Sequence, residues 1–316
     1  MDLVTGGAGF IGSHLVDELV RRGRRVRVLD NFSSGRLENL GACGEGVEVV
    51  EGDILDLAAV RGAMRDVERV FHQAALGSVP RSIDDPAGTN RANVEGTLNV
   101  LRAARDAGVQ RLVYASSSSV YGDGGAPVQR EDLPTSPISP YAVSKLAAEQ
   151  YCRVFTKVYG LPAVALRYFN VFGPRQDPSS QYAAVVAKFV QSAVDGESLE
   201  VHGDGLQSRD FTYVKNVVLA NCLAAESDAA VGEAFNIACG ARHSVLDIAQ
   251  TLADFLEPRG IPVRWHHATA RAGDVRDSLA SIDKARSRLG YTATVPFAEG
   301  LRHTVEAALS LAVARR

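Results

Sequence analysis

TGGAGFIGSH, residues 5–14, decides how this chain folds. It follows a short apolar run at 2–5 and leads directly into the helical pattern FIGSHLVDELV. Gly6, Gly9 and Gly12 recur at three-residue spacing. The first permits a tight turn, the second lets a diphosphate approach backbone N–H groups, and the third lets helix and strand pack closely. Phe10 and Ile11 open the helix, whose terminus offers positive partial charge to an anion. The next apolar run, VRVLD at 26–30, ends in Asp30. A carboxylate there accepts from ribose hydroxyls and repels a 2′-phosphate, so NAD is expected over NADP. Arg36 is the residue that keeps NADP in view. Asn31, Ser33, Ser34 and Gly35 (within NFSSG) supply further polar contacts to ribose or phosphate. Asp53 and Ile54, after the third apolar run, are placed to flank adenine.

Outward from that turn, short apolar runs alternate with helical patterns. Strands are expected at 2–5, 26–30, 47–51, 69–73, 111–115 and 163–168, and helices at 11–22, 56–65, 90–107 and 141–159. This rhythm predicts a doubly wound parallel sheet with helices on both faces. Beyond Gly173 it loosens into short strands near 199–202 and 234–237 and helices near 181–194, 214–227, 245–257 and 297–313. The expected division is a dinucleotide-binding domain over 1–173, to which later segments return, and a smaller, mainly C-terminal α/β substrate-binding lobe over 174–316.

Composition narrows the classes of function. The 316 residues carry a formal net charge of -3, which gives no bulk electrostatic basis for binding nucleic acid or an anionic membrane surface. No stretch approaches the roughly 18 apolar residues of a membrane-spanning helix. The chain opens directly into a strand pattern, so a cytoplasmic location is expected. Cys43, Cys152, Cys222 and Cys239 are scattered without CxxC spacing, which argues against both a disulfide framework and a metal site. His266 and His267 would point to opposite faces of an extended segment, and no metal is expected there. His72 ends a strand and is expected to pack near the cofactor, while His14 is an ordinary helical residue.

The chemistry is carried by YASSSSVYG (114–122) and SPYAVSKLAAEQ (139–150). Ser139 suits a helix cap and Pro140 a first turn, which puts Tyr141 and Lys145 four residues apart on one face. A free tyrosine titrates near pH 10; a neighbouring ammonium is expected to favour the phenolate and lower that value. Ser117, at the carboxyl end of a strand, can bond a substrate hydroxyl and steady its charge as it becomes a carbonyl.

These stretches resemble the extended short-chain dehydrogenase/reductases of the Rossmann type, specifically the NAD-dependent nucleotide-sugar 4-epimerases acting on UDP-glucose or UDP-N-acetylglucosamine. The resemblance runs through LDNFSSG (29–35), GDI (52–54), HQAALGSVPRSIDDP (72–86), Asn93-x-x-Gly96, RYFNVFGPRQDP (167–178), SRDFTYV (208–214) and RAGDV (271–275). It implies that Tyr141 takes the proton of a sugar 4-hydroxyl with Ser117 sharing that bond, and that Lys145 also positions the nicotinamide ribose. It implies that Ala74, Ala75, Leu76, Asn93 and Tyr168 lie against the cofactor. Asn170 would bond the diphosphate, Arg209 and Arg271 the phosphates, and Asp274 the uridine ribose. Ser78, Ser118, Tyr182 and Ala183 would line the sugar pocket. Ser278 stands where the family limits pocket size near the sugar 2-substituent, so room for an N-acetyl group is expected. A homodimer through the helices at 90–107 and 141–159 is implied by the same resemblance.

Other readings remain within the family. A 4,6-dehydratase would carry an Asp-Glu pair after the hydroxyl residue, where this chain has Ser118-Ser119. Uronate epimerases or decarboxylases tend to have a PDM-like turn where this chain has QDPSSQYAAV. A ketoreductase would consume NADH, and a non-catalytic NAD or nucleotide-sugar sensor would have lost part of the Ser117, Tyr141, Lys145 set.

Overall fold

The computed structural model describes residues 1–41, 46–123, 126–178, 184–269 and 276–314. In chain order the first part runs β1 (Asp2–Thr5), α1 (Phe10–Arg21), β2 (Val26–Asp30), β3 (Val47–Glu51), α2 (Leu57–Ala63), β4 (Arg69–His72), α3 (Val79–Asp84), α4 (Pro86–Asn90), α5 (Gly96–Asp106), β5 (Arg111–Ser117), α6 (Pro140–Tyr159) and β6 (Ala163–Tyr168). There follow β7 (Val171–Phe172), α7 (Val185–Asp195), β8 (Leu199–His202), β9 (Ser208–Arg209), β10 (Thr212–Tyr213) and α8 (Val214–Glu226). The chain closes with β11 (Ala234–Ile237), β12 (His243–Ser244), α9 (Val245–Leu256), β13 (Trp265–Ala268), α10 (Asp283–Leu289) and α11 (Phe297–Ala314).

Seven strands form one parallel sheet in the order β11-β6-β5-β4-β1-β2-β3. Strand order reverses between β1 and β4, the switch point at which open α/β sheets hold ligands beyond their carboxyl ends. One face of the sheet packs on α1, α8 and α10 through Leu15, Val16, Val217 and Ala285. The other packs on α2, α5 and α6 through Val60, Leu101, Ala148 and Phe155. β1, β2, β5 and β6 are buried on both faces, which is why their sequences read as nearly unbroken apolar runs. This is a Rossmann-like sheet core with flanking helices.

Beside it sits a smaller α/β lobe with its own core. Phe172, Phe211, Tyr213 and Phe297 pack together at ring separations of 5.6–6.4 Å, backed by α7, α9 and α11. The chain passes between the two parts more than once, since β11 pairs with β6 and α8 covers the sheet.

One expected feature differs. The helix expected over 90–107 is a rod made of α4, a π-turn at Arg91–Glu95 and α5. Asn93 lies in that turn and is buried. Trp265–Ala268 forms β13 beside β8; His266 bonds Ser198 and His267 bonds the Gly203 carbonyl. Among the described residues no group of His, Cys, Asp or Glu is arranged to hold a metal ion. Cys152, Cys222 and Cys239 are free thiols, and Cys43 lies outside the described residues. Among the described residues no helix is long and apolar enough to cross a membrane.

Candidate active site

A cleft of about 2320 Å³ runs along the carboxyl ends of the strands and under the lobe. Pockets for one small ligand usually span ~300–1,000 Å³, so this space suits two ligands end to end.

The glycine turn forms one end. Gly6 has φ +68°, and a Cβ there would stand 2.6 Å from the Ala74 nitrogen. A Cβ on Gly12 would overlap the Gly6 carbonyl oxygen. Both positions therefore exclude any side chain. α1 begins at Gly9 with no side chain capping it, so its first N–H groups and the positive end of its dipole remain available to a ligand phosphate. Asp30 is buried at the end of β2 and held by two backbone donors, Ala8 N–H and Phe32 N–H, each at 2.9 Å. Asn31 donates to Asp53 at 2.8 Å. The turn, the helix terminus and these acids together fit a dinucleotide.

The reacting groups meet at mid-cleft. Ser139 caps α6 by accepting from Ala142 N–H, Pro140 occupies the first turn, and Gly160 ends the helix in the left-handed region. This frame brings Tyr141 and Lys145 to the cleft beside Ser117 at the end of β5. The Tyr141 side chain stands beside Ser117, whose hydroxyl favours the phenolate. Ser117 Oγ also accepts from the backbone N–H and the hydroxyl of Ser119, at 3.2 and 2.8 Å, which fixes its orientation. Lys145 donates to the Ala115 carbonyl at 2.9 Å and lies 5.9 Å from the centre of the Tyr141 ring.

The expected lowering of the Tyr141 pKa needs correcting for the protein's own groups. Burial raises Tyr141, opposed by the Ser117 hydroxyl, and lowers Lys145 to about 8. Removal from water disfavours each charged form, and Lys145 does not outweigh it at the phenol.

Behind these groups lies a buried ion pair. Arg167 grips both carboxylate oxygens of Glu149, one turn beyond Lys145, at 3.0 and 2.6 Å. Glu149 also accepts from Ser116, and Arg167 donates to Tyr121. This set fastens α6 to β5 and β6 directly behind Ser117.

Most of the residues singled out by sequence line the cleft. Ala74, Ala75, Leu76 and Ser78 form one wall; Ser118, Tyr168, Asn170, Arg209 and Ser278 stand farther along. Asn31, Ser33, Ser34, Asp53 and Ile54 are at the glycine-turn end. Asn170 adopts φ +33° and donates to the Asp210 carbonyl at 3.2 Å. The Tyr168 hydroxyl turns inward to Gln73 and Asn221, and burial pushes it up to about 12. Gly35 and Asn93 do not line the cleft. Gly35 packs against Ala8 and Asp30, and Asn93 stands behind Leu76. Tyr182, Ala183, Arg271 and Asp274 lie outside the described residues.

Sequence reading missed several groups at the cleft. Asn39 donates to the Ala8 carbonyl at 2.8 Å, and Ser119 orients Ser117. Gln129 lines the cleft as Ser278 does, and its Oε1 is buried without a hydrogen-bond partner among the described residues. Its backbone N–H donates to the Leu279 carbonyl at 2.8 Å. Only a polar run signals Ser119, and no local pattern signals Gln129.

Comparison with known proteins places this geometry among related ones. The chain is 40% identical over 309 residues to UDP-glucose 4-epimerase of Mycolicibacterium smegmatis, covering 96% of this chain and 97% of that protein. It is 37% identical over 312 residues to UDP-N-acetyl-alpha-D-glucosaminuronate decarboxylase of Bacillus cytotoxicus, covering 96% of each. Among solved structures, UDP-N-acetylglucosamine 4-epimerase from Methanobrevibacter ruminantium M1, in complex with UDP-N-acetylmuramic acid, matches with a TM-score of 0.92 at 40% identity and 98% coverage of both chains. The model of the NAD dependent epimerase/dehydratase family matches residues 3–238. The chain thus belongs to the NAD dependent epimerase/dehydratase family.

Proposed function

We propose that the protein inverts the configuration at C4 of a UDP-hexose, reversibly and through a 4-keto sugar, with NAD retained between turnovers. The observation that carries this reading is the convergence of Tyr141, Ser117 and Lys145 on one cleft, with only hydroxyls at Ser118 and Ser119. Bound NAD would accept the hydride from C4 and give it back to the opposite face. Tyr141 takes the proton from the 4-hydroxyl, and Ser117 shares the hydrogen bond to that oxygen. Lys145 holds its charge close to the phenol. The serine run offers no carboxylate pair to move protons at C5 and C6, which supports inversion over dehydration. Asn170 and Arg209 hold the diphosphate while the sugar turns, a firm grip on one part of the substrate and a loose grip on the other.

Ser278 is small and half-buried at the cleft, which supports acceptance of UDP-GlcNAc and UDP-GalNAc along with UDP-Glc and UDP-Gal. The second reading, a uronic-acid nucleotide as substrate, is favoured by the likeness to the decarboxylase. A homodimer is supported by an exposed apolar stripe on α6, formed by Val143, Tyr151, Val154 and Val158.

The test is to incubate purified protein, without added cofactor, with UDP-GlcNAc, UDP-Glc and UDP-glucuronate separately, and to resolve products by chromatography and mass. An equal-mass C4 epimer of either hexose substrate is the expected result. Loss of water or of carbon dioxide, or reaction of the uronate alone, would overturn it.

A further inference from the structure

We propose that Thr5, His72, Thr97, Asn93 and Ser144 form a buried positioning relay, tying the Ala74–Leu76 wall of the cleft to the backbone of Tyr141. The seating of the dinucleotide and the aim of the phenol are thereby coupled. The proposal rests on the reading that this cleft holds NAD.

The direction of every bond follows from its neighbours. Thr97 gives its single hydroxyl hydrogen to the Asn93 carbonyl at 2.6 Å. Towards His72 Nε2, at 2.9 Å, it can then only accept, so Nε2 carries the hydrogen. Nδ1 is left bare and accepts from the Thr5 hydroxyl at 2.7 Å. Thr5 Oγ1 in turn receives the Ala74 N–H at 3.4 Å. At the other end, Asn93 Oδ1 accepts from Leu76 N–H at 2.8 Å, and Nδ2 donates to the Leu76 carbonyl at 3.2 Å. The same Nδ2 donates to Ser144 Oγ at 3.0 Å, and Ser144 donates to the Tyr141 carbonyl at 2.8 Å.

All five side chains are buried, and they come from β1, β4, the π-turn, α5 and α6. The relay therefore starts one residue before Gly6 and ends on the reacting tyrosine, touching the cleft wall at both Ala74 and Leu76. Burial and the charge of Lys145 hold His72 down at about 3, so it is neutral and its bond directions persist across the working range of pH. Stability alone does not call for such a set. Replacing both partners of a buried hydrogen bond by apolar groups of the same shape is nearly neutral. What a fully satisfied network adds is a single geometry.

The test uses Thr97→Val, Thr97→Ser and Ser144→Ala, none of which touches the cleft. NAD affinity is read by calorimetric titration on cofactor-stripped protein, and kcat and KM on the loaded enzyme. Thr97→Val is expected to bind NAD about tenfold more weakly, the loss of roughly one buried hydrogen bond. Thr97→Ser, which keeps the hydroxyl, recovers affinity to within about twofold. Ser144→Ala cuts only the link to α6, so it keeps NAD affinity while kcat falls about tenfold at unchanged KM. Thr97→Val binding like the unmodified protein, Thr97→Ser failing to recover, or Ser144→Ala with full kcat would each overturn the relay. If Thr97→Val does not fold, Ser144→Ala decides. Unmodified protein that binds no NAD would instead remove the reading beneath it.

Discussion

The end of the cleft at the glycine turn and the end under the smaller lobe are held in different ways. Thr5, Asp30, His72 and Ser117 sit at the carboxyl ends of β1, β2, β4 and β5, neighbours in one continuous sheet. Asn170, Arg209 and Ser278 come from turns and two-residue strands. β9 pairs with β12 over two residues and bridges to Asp277 on its other side, where the Ser278 N–H donates to the Ser208 carbonyl at 3.1 Å. Asp210 gathers the loop at 239–240 by accepting from Cys239 and Gly240 N–H, each at 2.9 Å. The glycine-turn end thus inherits the rigidity of the sheet, while the end under the smaller lobe depends on a few local bonds. A reaction that fixes one ligand and turns the other needs that division.

The comparison breaks first at Tyr141. Tyr141→Phe keeps the ring and removes the proton acceptor, so kcat is expected to fall about 10³-fold with NAD affinity unchanged. Steady-state kinetics beside NAD titration would show it; a loss confined to KM would place Tyr141 among the binding groups instead.

Lys145→Met sharpens the electrostatic side, with an expected loss of about 10²-fold and a change in the pH profile. Burial lowers Lys145 to about 8 and raises Tyr141. The pair therefore sheds its first proton near pH 8, and the share holding phenolate beside ammonium is constant above that point. In the unmodified enzyme kcat/KM rises about tenfold per pH unit below 8 and levels off above it. In Lys145→Met the levelling moves upward, because the buried phenol then titrates alone. A limb that stays near pH 8 in the variant would assign it to another group.

Ser278→Tyr addresses the sugar side and carries the smallest effect. A ring there is expected to lower kcat/KM for the N-acetylated pair about tenfold, leaving UDP-Glc and UDP-Gal within twofold. Equal loss on both pairs would mean that Ser278 does not face the 2-substituent.

What could be read along the chain was local. Gly6 and Gly12 announce their turn because strand, turn and helix are contiguous. Tyr141 and Lys145 announce theirs because four residues are about one helical turn. His72 and Thr97 lie 25 residues apart, and Asn93 and Ser144 lie 51 apart, so no window displays their bonds. Asn93 was expected against the cofactor, yet the π-turn in which it is buried follows from packing. Gln129 reaches the cleft through pairing with 279–281, which again is non-local.

By itself the sequence determined the parallel sheet and its glycine turn, which rest on periodicity and short spacings, and its motifs carried the resemblance to the family. Only the tertiary structure decided which polar groups face the cleft and which lie behind it. It also decided the sign of the shift at Tyr141, because desolvation depends on everything packed around the phenol and not on its neighbour in sequence.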